Sequence, residues 1–94
     1  MTNEELIKFV DTLKQGKIDF FLKVKPYIQE NKIYTKDIKD KSDIEVKSWY
    51  SYVGQQTTRD VGTYHKKDEV GENTYFEFNK VDVNTFYELI ENKK

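Results

Sequence analysis

The sequence predicts an α+β domain, on three observations. Two short helical segments follow one another across a few polar residues near Lys41, in the manner of a helix-turn-helix. Two strand-like segments rich in Thr, Tyr, Phe and Val come directly after them, which reads as a β-hairpin. Capped amphipathic segments stand at both ends of the chain.

Thr2-Asn3-Glu4-Glu5 matches a capping box, a hydroxyl at the cap and a carboxylate three residues on. Leu6, Phe9, Val10 and Leu13 then recur at helical spacing, and Gly16 is a natural stop, so a helix is expected over residues 3 to 15. Residues 18 to 30 carry two patterns. Ile18, Phe20, Leu22 and Val24 alternate as in a strand, whereas Phe20, Phe21, Val24, Tyr27 and Ile28 form a helical stripe. Asp19 can cap a helix, and Pro26 would strain its interior. A helix over 19 to 31 kinked near Pro26 is favoured, and a strand followed by a short helix from Pro26 is the alternative. Whether residues 18 to 25 are helix or strand stays open.

Lys32-Ile33-Tyr34 reads as a short extended piece. Thr35 is placed to cap Lys36 to Asp40, with Ile38 inward. Ser42-Asp43-Ile44-Glu45 is a second capping-box match, opening a helix with Ile44, Val46, Trp49, Tyr50 and Val53 that Gly54 closes. Gln55 to Asp60 is expected to be loop. Val61 to Lys67 and Thr74 to Phe78 are the two strands, with Asp68-Glu69-Val70-Gly71-Glu72-Asn73 as the turn between them. Asp82-Val83-Asn84-Thr85 caps a last helix carrying Phe86, Leu89 and Ile90, over residues 83 to 92.

The 94 residues suffice for one domain, 1 to 94, with a thin core. There is no cysteine, which removes disulfides and thiolate metal sites and suits a reducing cytoplasm. No apolar run approaches the roughly 20 residues of a membrane span, and the first residues lack a signal-peptide pattern. The formal net charge is −1, but it is unevenly spread. Lys14 to Lys67 holds twelve Lys/Arg against seven Asp/Glu, and the remainder four against ten. A basic middle between acidic ends lets one face attract phosphate.

The stretch Ile33-Tyr34-Thr35-Lys36-Asp37-Ile38, then Ser42-Asp43-Ile44-Glu45-Val46-Lys47-Ser48-Trp49, then the hairpin to Phe78, resembles the winged-helix family over roughly residues 19 to 79. The resemblance implies a winged helix-turn-helix with a hairpin wing and added terminal helices. In size, Lys/Tyr/Phe-rich composition and lack of cysteine the chain is also similar to the small winged-helix single-stranded-DNA-binding proteins of staphylococcal cassette chromosome elements. That resemblance implies non-catalytic single-strand binding in mobile-element replication.

In winged-helix proteins the second helix of the pair usually faces the major groove. Its outward residues here would be Glu45, Lys47, Ser48, Ser51, Tyr52 and Gln55, with no Arg and only one Gln to read base edges. Single strands ask instead for a basic track and aromatic faces on which bases stack. Phe9, Phe20, Trp49, Phe76, Phe78 and Phe86 suffice for a small core, which leaves Tyr34, Tyr52, Tyr64 and Tyr75 as surplus rings near solvent. The candidate nucleic-acid-binding residues are Lys36, Lys39, Lys41 and Lys47 around the helix pair, with Tyr52. Arg59 in the approach loop and Tyr64, His65, Lys66, Lys67 and Tyr75 on the wing complete the set.

Catalysis is not expected. His65 is the single histidine, no glycine-rich phosphate loop exists, and Asp40/Asp43 and Asp68/Glu69 fall in turns. No cofactor or metal is expected. The stripe on the first helix serves either packing within the chain or a homodimer through the terminal helices. The function expected first is single-stranded DNA binding. A duplex-binding transcriptional regulator and a protein-interaction module or inhibitor from a phage or mobile element are the alternatives.

Overall fold

Helix α1 (Asn3–Thr12) begins as its sequence dictates: Thr2 accepts from the Glu5 N–H, and Glu5 answers at the Thr2 N–H. The computed structural model describes residues 1–67 and 73–93. Gly16 does not end α1. The helix stops three residues earlier, where Leu13 turns extended (φ −69°, ψ 133°) and buries its side chain. From α6 (Val83–Lys93), the Lys93 ammonium reaches back to the carbonyls of Val10 and Leu13, at 2.6 and 3.3 Å. A cation at a helix C-terminus complements the partial negative charge there.

Residues 18 to 24 are helical. Helix α2 (Gln15–Val24) starts ahead of the expected position, so Asp19 lies inside it, accepting from Gln15 Nε2 at 2.8 Å, instead of capping it. Burial of Ile18, Phe20, Phe21 and Val24 explains the choice, because helical spacing puts all four in the core. Pro26 then sits in a 3-10 turn (Lys25–Tyr27), and the helix does not run on to residue 31. Instead Gln29 and Lys32 exchange backbone hydrogen bonds around Glu30 and Asn31, which have φ of 51° and 66°. Two positive φ values in a two-residue loop make a type I′ turn, which Asn tolerates and Glu does not advertise.

Strand β1 (Lys32–Tyr34) leads into α3 (Thr35–Lys41), and α4 (Val46–Val53) follows after four residues. Both expected caps in this region do other work. The Thr35 hydroxyl accepts from Trp49 Nε1 at 2.9 Å and from the Thr74 hydroxyl at 2.7 Å, in the core. Ser42 Oγ binds the Ile38 carbonyl and receives the Ile44 N–H, so it shapes the turn between the helices, and Ile44 lies outside α4. Residues expected as loop form a single turn, α5 (Gln56–Arg59).

Strands β2 (Thr63–His65) and β3 (Tyr75–Glu77) give, with β1, an antiparallel sheet of order β1-β3-β2. Of the turn expected over residues 68 to 73, residues 68 to 72 lie outside the described residues. The register pairs Ile33 with Phe76 and Phe76 with Tyr64, all on the inner face. Asp82 caps α6 as expected, accepting from the Asn84 N–H at 3.2 Å and the Thr85 hydroxyl at 2.9 Å. Leu6, Val10 and Leu13 are buried, and α1 packs on α6. Phe9, the fourth residue of the stripe, is half-buried against the same core. The α+β organisation and the strand order are compatible with a winged helix.

Two expected results follow from the core. Thr35→Val removes the acceptor of the buried Trp49 indole N–H while keeping the shape, and leaving such a group unsatisfied costs about 1–3 kcal/mol. Urea unfolding should show a loss in that range or above it. Tyr87 is 3 % exposed and donates to the Phe21 carbonyl at 2.7 Å. Burial first, then the Glu91 charge, push its phenol pKa well up. The unfolded chain releases that proton near pH 10, so stability falls as pH rises past about 10. Absorbance titration should show one tyrosine ionising only as the fold is lost.

Candidate nucleic-acid interface

Along a strand, successive side chains point to opposite faces. With Ile33 and Phe76 buried, the outer face carries Lys32 and Tyr34 from β1, Tyr75 and Glu77 from β3, and Thr63 and His65 from β2. Register places Tyr34, Tyr75 and His65 side by side in one row across all three strands. The Tyr34 and Tyr75 rings are tilted at 5.4 Å between centroids, and His65 stacks on Tyr75 at 4.8 Å with 26° between planes. All three are half-buried.

Cations border the row. Lys32 Nζ lies 5.1 Å from the Tyr75 ring centroid and Lys67 Nζ 5.8 Å, both within cation–π reach. Lys66 is exposed beside Lys67. His65 Nε2 lies 3.2 Å from Glu77 Oε1, within ion-pair distance though without hydrogen-bond alignment. This pair ties β2 to β3 at the edge of the row. Cross-strand aromatic pairs of this kind hold a small sheet together, each contributing roughly 0.2–1 kcal/mol. They also leave π faces and cations at the surface.

The structure brings together Lys32, Tyr34, His65, Lys67 and Tyr75, of which His65, Lys67 and Tyr75 were expected from sequence; the expected Lys66 lies beside Lys67, and the expected Lys36 stands two residues beyond Tyr34 at the start of α3. It separates the others. Tyr64 shares the inner face with Phe76, packs on the core and meets Tyr50 edge-on at 6.2 Å. As neighbours on one strand, Tyr64 and His65 cannot present to the same ligand surface. Tyr52 is half-buried and stacks on Phe20 of α2 at 4.2 Å, away from the sheet face. Ser48 and Glu45 border the same cleft with α2. Lys41 is paired with Asp37 at 3.4 Å. Lys39, Lys47 and Arg59 are exposed on α3, α4 and α5, elements outside the sheet. Sequence reading missed Lys32 and did not assign Tyr34 to the site. The alternation around a buried Ile33 is the signal that would have joined them.

Compared with known proteins, the chain matches no family model, no curated protein and no solved structure.

Proposed function

We propose that this chain is a winged-helix domain that binds single-stranded nucleic acid, without catalysis, on the outer face of its sheet. The observation that carries the reading is the Tyr34–Tyr75–His65 row with lysines at its border. Bases of any sequence stack on such rings, each contributing about 1–3 kcal/mol. In the free protein Lys32 and Lys67 lie near the Tyr75 ring. An entering base takes that ring face, and the two ammonium groups move to the flanking phosphates. Duplex reading is less well supported, because α4 gives Tyr52 to Phe20 and has Lys47 and Ser51 as its exposed polar residues.

Fluorescence anisotropy of labelled oligonucleotides of equal length, single-stranded and duplex, at two salt concentrations is the test. Tighter binding to the single strand, weakening as salt rises, is expected. Equal or stronger duplex binding would favour a transcriptional regulator. Absence of binding to either at low salt would favour a protein-interaction module.

A further inference from the structure

Lys17, near the start of α2, is a buried cation held by neutral oxygens. The residue is 8 % exposed, and its Nζ donates to Gln55 Oε1 at 2.6 Å and to the Thr58 hydroxyl at 2.8 Å. It also lies 4.9 Å from the Tyr52 ring centroid and 5.7 Å from that of Phe20. Among the described residues no carboxylate comes within ion-pair distance of it. Lysines are almost never fully buried unless paired, because leaving water costs the charge dearly. Two neutral oxygens and two ring faces offset part of that cost. Burial lowers the Lys17 pKa from its ordinary value.

Lys17 also lines a cleft of about 630 Å³, together with Phe9, Leu13, Lys14, Tyr52 and Gln55. That volume suits a small molecule, and Phe9, Leu13 and Tyr52 supply the apolar part of a lining whose other side chains are polar or charged. The charged lining is Lys14 and Lys17 against Asp60, whose carboxylate accepts from Gln56 Nε2 at 2.8 Å. The cleft is built by α1, α2 and the α4–α5 segment, so it shares no residue with the sheet face and does not rest on the nucleic-acid reading.

We infer that this cleft binds a small organic acid, its carboxylate paired with the Lys17 ammonium and its apolar body against Phe9, Leu13 and Tyr52. The carboxylate supplies the missing counter-charge, and the body covers the half-buried rim of Phe9.

The test is titration of the isotope-labelled full chain by NMR with sodium benzoate, with benzyl alcohol and inorganic phosphate in parallel, at fixed ionic strength. Saturable shifts around residues 13, 17, 52 and 55 are expected with benzoate. Benzyl alcohol, of similar shape without charge, should bind at least about tenfold more weakly, and phosphate, which has no apolar body, should not saturate these signals. Lys17→Met keeps the stem and removes the charge, and it should abolish the preference for benzoate over the alcohol. Equal binding of benzoate and benzyl alcohol, shifts confined to other surfaces, or saturation by phosphate alone would overturn the proposal. Should Lys17→Met fail to fold, the comparison of the three probes on the unaltered chain still decides it.

Discussion

Replacing Gly62 by alanine is expected to abolish the fold or bring it to the edge of unfolding. A Cβ at Gly62 would lie 2.1 Å from the Glu77 carbonyl oxygen, 2.6 Å from Phe76 Cζ and 2.9 Å from the Glu77 carbonyl carbon. Two of those three atoms are backbone of β3, the central strand, and cannot rotate away. Phe76 is 1 % exposed, so its ring has nowhere to go. Relief requires β2 to separate from β3, which would break the sheet and uncover Val61 and Phe76. Overpacking alone typically costs about 1–3 kcal/mol, and losing the strand pairing adds to it. A domain of this size has little reserve, because total stabilities run from about 5 kcal/mol upward. Gly16→Ala is the contrasting substitution. Nothing lies within 4 Å of the added Cβ, and residue 16 is helical, so alanine should stabilise by about 0.5–1 kcal/mol. Thermal melts followed by circular dichroism should separate the two by sign. A Gly62→Ala protein melting within a few degrees of the parent would contradict the close approach of β3.

Tyr75→Ala should give the largest loss of single-strand binding of any surface change. Tyr75 is the middle ring of the row, stacked on by His65, next to Tyr34 and approached by two ammonium groups. Losing one stacked base costs about 1–3 kcal/mol, roughly a 5- to 150-fold rise in Kd. Tyr75→Phe keeps the ring and should remain within about twofold of the parent. Tyr52→Ala, although it removes another tyrosine, should leave binding unchanged, since Tyr52 lies on Phe20 at the α2 side. Anisotropy titrations of the three variants check the order. Equal losses for Tyr75→Ala and Tyr52→Ala would remove the sheet face from consideration.

Sequence pattern revealed most of the elements because most are written in local chemistry. The capping box at Thr2, the carboxylate at Asp82 and the alternation in β1 and β3 each act within a few residues. What stayed hidden depends on distant partners. Thr35 and Ser42 have the residue types of caps, yet the Trp49 indole, the Thr74 hydroxyl and the end of α3 claim their oxygens. Gly16 looks like a helix stop, but burial of Leu13 ends α1 first. The turn at Glu30 and Asn31 has only half of the usual signal, and its closure is helped by Phe78 N–H donating to the Asn31 carbonyl at 2.8 Å. Half of the candidate site was legible for a similar reason. The wing residues His65, Lys66, Lys67 and Tyr75 are contiguous or paired in a hairpin, whereas Lys32 and Tyr34 join them through the β1–β3 pairing, more than forty residues away in sequence. Tyr64 lies on the opposite face of β2 from His65, as alternation along a strand dictates.

The central claim concerns which face meets the strand, and an NMR titration of the labelled protein with oligothymidylate tests it most directly. Amide and side-chain shifts are expected at Lys32, Tyr34, His65, Lys67 and Tyr75, with the signals of Tyr52 and the rest of α4 unmoved. Shifts centred on α4, or none at low salt with an oligonucleotide of ten or more residues, would contradict it.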